Sequence, residues 1–220
     1  MEKYIILGHS NSVLAIELDL IYQKKEINKI DIVSNTTESQ DTNNYLLEEL
    51  DIKEYFHDNY TYNNSNNYIL GVNSPVSKNK VFSFFKKNYN IDIDNYTNIY
   101  ANNINLPTKY TIGTGCLINC GATIGPFTKL GNFVTINRNS SIGHHNELSD
   151  FVTISPGVNI AGTCKIGKNS LICTGATIIN NINIGENVIV GAGSVVTKDI
   201  PDNVIYYGVP AKFIRQNKPI

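Results

Sequence analysis

Stepping by six from Ile112 to Val196 meets an aliphatic side chain at every step, through Ile118, Ile124, Leu130, Ile136 and on to Val190. Glycine often follows at once, as in the Ile-Gly pairs at 112, 124, 142, 166 and 184. A small or β-branched residue usually stands two places earlier, as with Cys116, Ala122, Thr128, Val134 and Ser140. An α-helix would scatter positions six apart around its circumference, and strands joined by turns of varying length would not hold the period. A β-solenoid holds it. With three hexapeptides to a triangular coil, the aliphatic residue points into the prism and the small residue fills the space beside it.

Residues eighteen apart then stack. Gly121, Asn139, Gly157, Gly175 and Gly193 form one column, the composition expected of a corner with positive φ. A second column reads Pro126, His144, Gly162, Asn180 and Lys198, so His144 is expected directly beside Gly162 one coil on. The chain has four histidines, and it places His144 and His145 side by side in this corner.

Residues 1–100 break the period. "KYIILG", "KIDIVS" and "NYILGVN" read as strands, while "SNSVLAIELDLIYQ", "NYLLEELDIKEYF" and "SPVSKNKVFSFFKKNY" read as helices. The alternation predicts a small parallel α/β unit of Rossmann-like type. Ligands of such units collect beyond the carboxyl ends of the strands, here Gly8, His9, Ser10, Asn11, Ser34, Asn35, Gly71 and Asn73. "GHSNSV" offers one glycine where a dinucleotide fingerprint has three, and a plain βα turn explains it equally well. "YTYNNSNN" reads as a solvated loop. The expected division is an α/β domain over 1–100, a β-helix over 101–200 and a tail over 201–220.

Eighteen basic against nineteen acidic residues leave a net charge of −1, which gives no footprint for nucleic acid or an anionic membrane. No apolar run reaches spanning length, and the first residues lack the pattern of a secretion signal, so the expected compartment is the cytoplasm. Cys116, Cys120, Cys164 and Cys173 follow no metal-binding spacing and are expected to be small buried residues.

The order of an α/β unit, a hexapeptide helix and the closing "VGAGSVVTKDIPDNVIYYGVPAKFIR" resembles the NeuD/PglD-type bacterial sugar O- and N-acyltransferases. "GHSNS", "SIGHHNELSDF" and "SPGVNIAG" carry the resemblance along the chain. It implies a left-handed parallel β-helix, a homotrimer with sites between neighbouring helices, and acetyl-CoA as co-substrate without a metal. The implied acceptor is a nucleotide-linked amino sugar, a UDP-linked 4-amino-trideoxy sugar in the nearest comparison, within surface glycan synthesis. His144 carries over as general base, suited by an imidazole's titration near neutrality, and the Gly162 N–H as support for the oxyanion. Gly162, Thr163, Gly175, Ala176, Gly193, Lys198 and Lys212 would line the acetyl-CoA groove.

The sequence departs from the family at two places. His145 stands where the family has an acidic residue and is counted with His144 and Gly162 in the catalytic set, as a substrate or orienting group against the alternative of a spectator, with Glu147 or Asp150 as replacement carboxylates; Thr153 stands where relatives carry another histidine. Two readings compete with amino-sugar N-acetylation: O-acetylation of a sialic-acid-type hydroxyl, and a solenoid that kept the fold without the chemistry. A carbonic anhydrase needs three converging histidines, and the helical region holds only His144 and His145.

Overall fold

The computed structural model describes residues 3–9, 11–24, 29–36, 50–63 and 67–218. The chain opens with β1 (Tyr4–His9), α1 (Asn11–Lys24), β2 (Lys29–Ser34), β3 (Asp51–Phe56), β4 (Tyr68–Gly71) and α2 (Pro75–Tyr89). The four strands form a parallel sheet in the order β3-β2-β1-β4, in which the residues of β1, β2 and β4 are mostly buried. Ser74 caps α2 by accepting from the Ser77 N–H at 3.1 Å, Pro75 opens it, and Asn90 closes it in the left-handed region at φ 55°.

Two expectations for this unit are corrected. "DIKEYF" is strand β3 rather than the end of a helix, pairing with β2 from Lys29↔Asp51 to Ser34↔Phe56. Its charges mimic a helix surface, but they belong to an edge strand whose residues are exposed or half-buried. The preceding residues 44–49 lie outside the described residues. In the expected solvated loop, Thr61 and Asn63 are exposed but Tyr60 and Tyr62 are half-buried. Tyr60 donates to Asp31 at 2.8 Å and Tyr62 stacks on Tyr89 with ring centroids 4.1 Å apart; residues 64–66 of that segment lie outside the described residues.

From Ile99 onward the chain coils into a triangular parallel β-helix. Its first face carries strands at Leu117–Ile118, Thr135–Ile136, Thr153–Ile154, Leu171–Ile172 and Ile189–Val190. The second carries Thr123–Ile124, Ser141–Ile142, Asn159–Ile160, Thr177–Ile178 and Val195–Val196, and the third Thr128–Leu130, Glu147–Leu148, Lys165–Ile166 and Asn183–Ile184. Partners such as Ile136↔Ile154 and Ile142↔Ile160 are eighteen residues apart, as the hexad count requires. The hexad aliphatics fill the interior together with Val134, Val152, Val158 and Ala176. Cys116 and Cys164 are buried among them, whereas Cys120 and Cys173 are only partly covered.

Each coil turns three corners, and each corner has a residue at positive φ. The glycine-rich column has φ between 55° and 69°, from Gly121 to Gly193. The corner between the second and third faces uses Phe127, His145, Thr163 and Asn181 at φ 57–63°. A hairpin of Val204–Tyr207 and Lys212–Gln216 finishes the first face.

The α/β unit docks on that first face. Lys78 of α2 is fully buried there, and its ammonium donates to Phe133 O at 2.7 Å and to Thr135 Oγ1 and Val152 O, both at 3.2 Å. Phe133 and Phe151 join the aromatic core around Phe85 and Tyr96. Among the described residues, no helix is long and apolar enough to cross a membrane.

Candidate active site

The corner between the second and third faces presents His144 and His145 to solvent. Its backbone is fixed by the coils on either side. The His145 N–H donates to Pro126 O at 2.9 Å, and His144 O accepts from the Thr163 N–H at 2.9 Å. Asn146, next in sequence, is fully buried; its amide donates to Gly143 O and Ala161 O and accepts from the Cys164 N–H at 2.7 Å. A rigid turn therefore holds two exposed imidazoles.

The rings meet through their Nδ1 atoms, 3.0 Å apart and nearly perpendicular at 86°. A hydrogen bond between two Nδ1 atoms needs one proton and one lone pair. If His144 supplies the proton, its Nε2 carries a lone pair and can act as a base. If His145 supplies it, that capacity is lost.

Gly162 lies under the His144 ring, as the column arithmetic expected. A Cβ built there would sit 2.5 Å from Cε1, 2.6 Å from Nε2 and 3.0 Å from Nδ1 of His144. The glycine is needed for space, since its own φ is not in the left-handed region. Among the described residues, no main-chain acceptor outside the regular strands takes the Gly162 N–H.

The carboxylates expected to replace the family's acidic residue are committed elsewhere. Glu147 pairs with Lys129 at 3.0 Å and Lys165 at 3.8 Å, and these contacts hold its carboxyl below the usual range. Asp150 accepts from the Asn132 N–H at 2.7 Å at a different corner. His145 is the ring that meets His144. Phe127 was absent from the sequence expectations, although it stands one coil before His145 in the same column. Its ring stacks on His145 with centroids 4.8 Å apart and planes at 28°. A cavity of about 400 Å³ adjoins it, lined by Thr108, Lys109, Tyr110, Thr111, Phe127, Thr128 and Lys129.

The other expected positions are spread along the prism. Thr163 is exposed as the next residue after His145 in its column, and Lys198 is exposed three coils up the His144 column, about 14 Å away at one strand spacing per coil. The N–H groups of Gly175 and Gly193 donate to Pro156 O and Thr174 O within the corner ladder, at 3.0 and 2.9 Å. Only their carbonyls remain for an extended ligand. Ala176 is buried inside the prism and its N–H donates to Cys173 O, while Lys212 is exposed on the closing hairpin.

In the α/β unit, the strand ends bring Gly8, Asn35 and Gly71 together. A Cβ on Gly8 would lie 3.2 Å from Asn35 Oδ1, and one on Gly71 would press on the Gly8 backbone. Ser34 ends β2. Asn73 O accepts from Thr153 Oγ1 at 2.7 Å, a contact that ties the solenoid to the loop after β4. Among the described residues, the buried Asn73 Oδ1 has no hydrogen-bond partner. His9 and Asn11 belong to β1 and α1, with side chains outside the described set, and Ser10 lies outside the described residues. Among the described residues, no three His, Cys, Asp or Glu side chains converge on a metal-sized site.

Residues 163–198 match the family model described as bacterial transferase hexapeptide, six repeats. No curated protein matches the sequence. Solved structures match nearly the whole chain. A histidine-to-asparagine variant of perosamine N-acetyltransferase from Caulobacter crescentus, in complex with CoA and GDP-perosamine, is 19% identical over 98% of each chain, with a TM-score of 0.77. The acetyltransferase domain of PglB from Neisseria gonorrhoeae is 20% identical over 97% of this chain and 100% of that one, with a TM-score of 0.81. WeeI from Acinetobacter baumannii, also 20% identical, covers the same shares with a TM-score of 0.71. The fold is the one these proteins share. It is the expected Rossmann-like unit followed by a left-handed parallel β-helix and a short tail.

Proposed function

We propose that this chain transfers the acetyl group of acetyl-CoA to the amino group of a nucleotide-linked amino sugar, with His144 as general base. The observation that carries the reading is an exposed imidazole seated over a glycine, with its Nδ1 engaged by His145. Similar solved structures bound to acetyl-CoA, and to CoA with GDP-perosamine, support the choice of co-substrate and acceptor class.

In this reading the sugar amine attacks the thioester carbonyl carbon, and a C–N bond forms as the C=O electrons move onto oxygen. The Gly162 N–H donates to that oxyanion. His144 Nε2 takes the proton leaving nitrogen, the tetrahedral centre collapses with cleavage of the C–S bond, and the proton passes to the CoA sulfur. The products are the N-acetyl sugar and free CoA thiol, and no acyl-enzyme is formed. Thr163 and the carbonyls of Gly175 and Gly193 lie along the path for pantetheine, with Lys198 and Lys212 as phosphate contacts.

The position of the site favours an assembly. The α/β unit covers the first face, and His144 occupies the corner opposite that face. An acceptor held at Gly8, Ser34, Asn35, Gly71 and Asn73 therefore reaches a histidine only on a neighbouring copy, in keeping with a homotrimer. A UDP-linked 4-amino-trideoxy sugar is the acceptor proposed within this class.

Thiol release from acetyl-CoA against UDP-, dTDP- and GDP-linked amino sugars tests the proposal. Turnover on one of them is expected to fall by at least about 100-fold in His144→Asn. Turnover on sugar hydroxyls alone would replace N- by O-acetylation, and no release with any acceptor would leave a binding module.

A further inference from the structure

Phe127 is half exposed (50%) and holds a left-handed backbone at φ 62°, a conformation that disfavours an aromatic residue. Phe133 and Phe151 also turn corners at positive φ, but both are buried against Phe82 and against each other. Phe127 has no such core. Its ring contacts are His145 on the following coil and the Lys109 ammonium, from the preceding coil, 5.8 Å from its centroid.

We infer that Phe127 is a positioning residue: its ring holds His145 as the neutral acceptor of the His144 Nδ1–H, and so selects the tautomer that leaves His144 Nε2 free to take a proton. The inference rests on the acetyl-transfer reading and adds a residue to it. Stacking fixes the plane of the His145 ring, and the perpendicular approach of His144 directs its Nδ1–H at the in-plane lone pair of His145 Nδ1. Among the described residues, the charged side chains two places along the third face from this corner are Lys129, Glu147 and Lys165, and the Glu147 carboxylate is shared between the two lysines. His145 can thus replace an acidic residue only as a lone-pair donor. When His144 accepts the substrate proton, its Nδ1–H bond to His145 becomes charge-assisted and strengthens.

The test reads tautomers directly. In protein carrying ¹⁵N-labelled histidine, held above neutral pH, His144 is expected to show a protonated Nδ1 and His145 a protonated Nε2. Phe127→Leu keeps an apolar side chain of similar reach without the flat ring. It should mix the tautomers and lower kcat by about tenfold or more, with the KM for acetyl-CoA within about twofold of its original value. Phe127→Tyr should restore both. A protonated Nδ1 on His145 in the unaltered protein overturns the inference, and so does a Phe127→Leu variant with unchanged tautomers and kcat. The spectrum of the unaltered protein needs neither a folded variant nor turnover. The expected tautomers without any thiol release would therefore sink the acetyl-transfer reading alone, whereas turnover with the opposite tautomers would sink the role of Phe127, and with it His144 Nε2 as the base, while acetyl transfer itself stood.

Discussion

At Gly162 one absent methyl group decides whether the His144 ring can lie where it does. Alanine there would place a carbon within 2.5–3.0 Å of three imidazole atoms, so the ring must swing away from the coil. Because the backbone at Gly162 is not left-handed, Gly162→Ala is expected to leave stability unchanged or raised by up to about 1 kcal/mol. Its kcat should fall by about 100-fold. Steady-state kinetics beside thermal melts separate the two effects, and an alanine variant with full kcat would remove the steric argument. This juxtaposition was legible in the sequence because a strict coil period converts a separation of eighteen residues into direct contact. The ring orientations were not legible. Nothing in the order of residues says that His145 turns its Nδ1 to His144, or that Glu147 is drawn off by Lys129 and Lys165. The same column arithmetic sets Phe127 under His145, so that neighbour could have been found by counting.

Among the elements, α2 joins the two parts of the chain through Lys78. Burial pushes this lysine down to about 7, against the three acceptors that hold its ammonium in place. Between that value and the ordinary lysine range, the unfolded chain holds a proton that the folded one has released, so stability rises with pH across the interval. The intact protein should gain about 1–2 kcal/mol between pH 7 and pH 9, and Lys78→Met should lose that gain. Urea unfolding at the two pH values measures the difference, and parallel pH dependences in the two proteins would rule out Lys78 as its source. In sequence, Lys78 was one more polar residue on a helix, and its burial depends on the solenoid face it meets. β3 escaped notice for a related reason, since Asp51, Lys53 and Glu54 are acceptable on an edge strand only because β2 supplies the pairing. The hexad strands were legible throughout, because each is specified by its own aliphatic residue.

Taken whole, the molecule separates the strand ends of its α/β unit from His144 by the thickness of the prism. If sites form between copies, two defective chains should repair one another. His144→Asn mixed in equal amounts with Asn35→Trp, which crowds the strand-end pocket, should recover about one quarter of normal turnover, since random assembly gives about one interface in four both intact halves. Each variant alone should be nearly inactive, and a mixture no more active than its components would confine the site to one chain. The stacked coils also act as a gauge of length. Each adds about 4.8 Å between the imidazole and Lys198 without turning either one around the axis, so duplicating residues 167–184 would lengthen that span by a single increment. Acetyl-CoA should then bind more weakly while a short acetyl thioester without the nucleotide reacts as before. A six-residue insertion would instead carry everything beyond it round to another side of the prism.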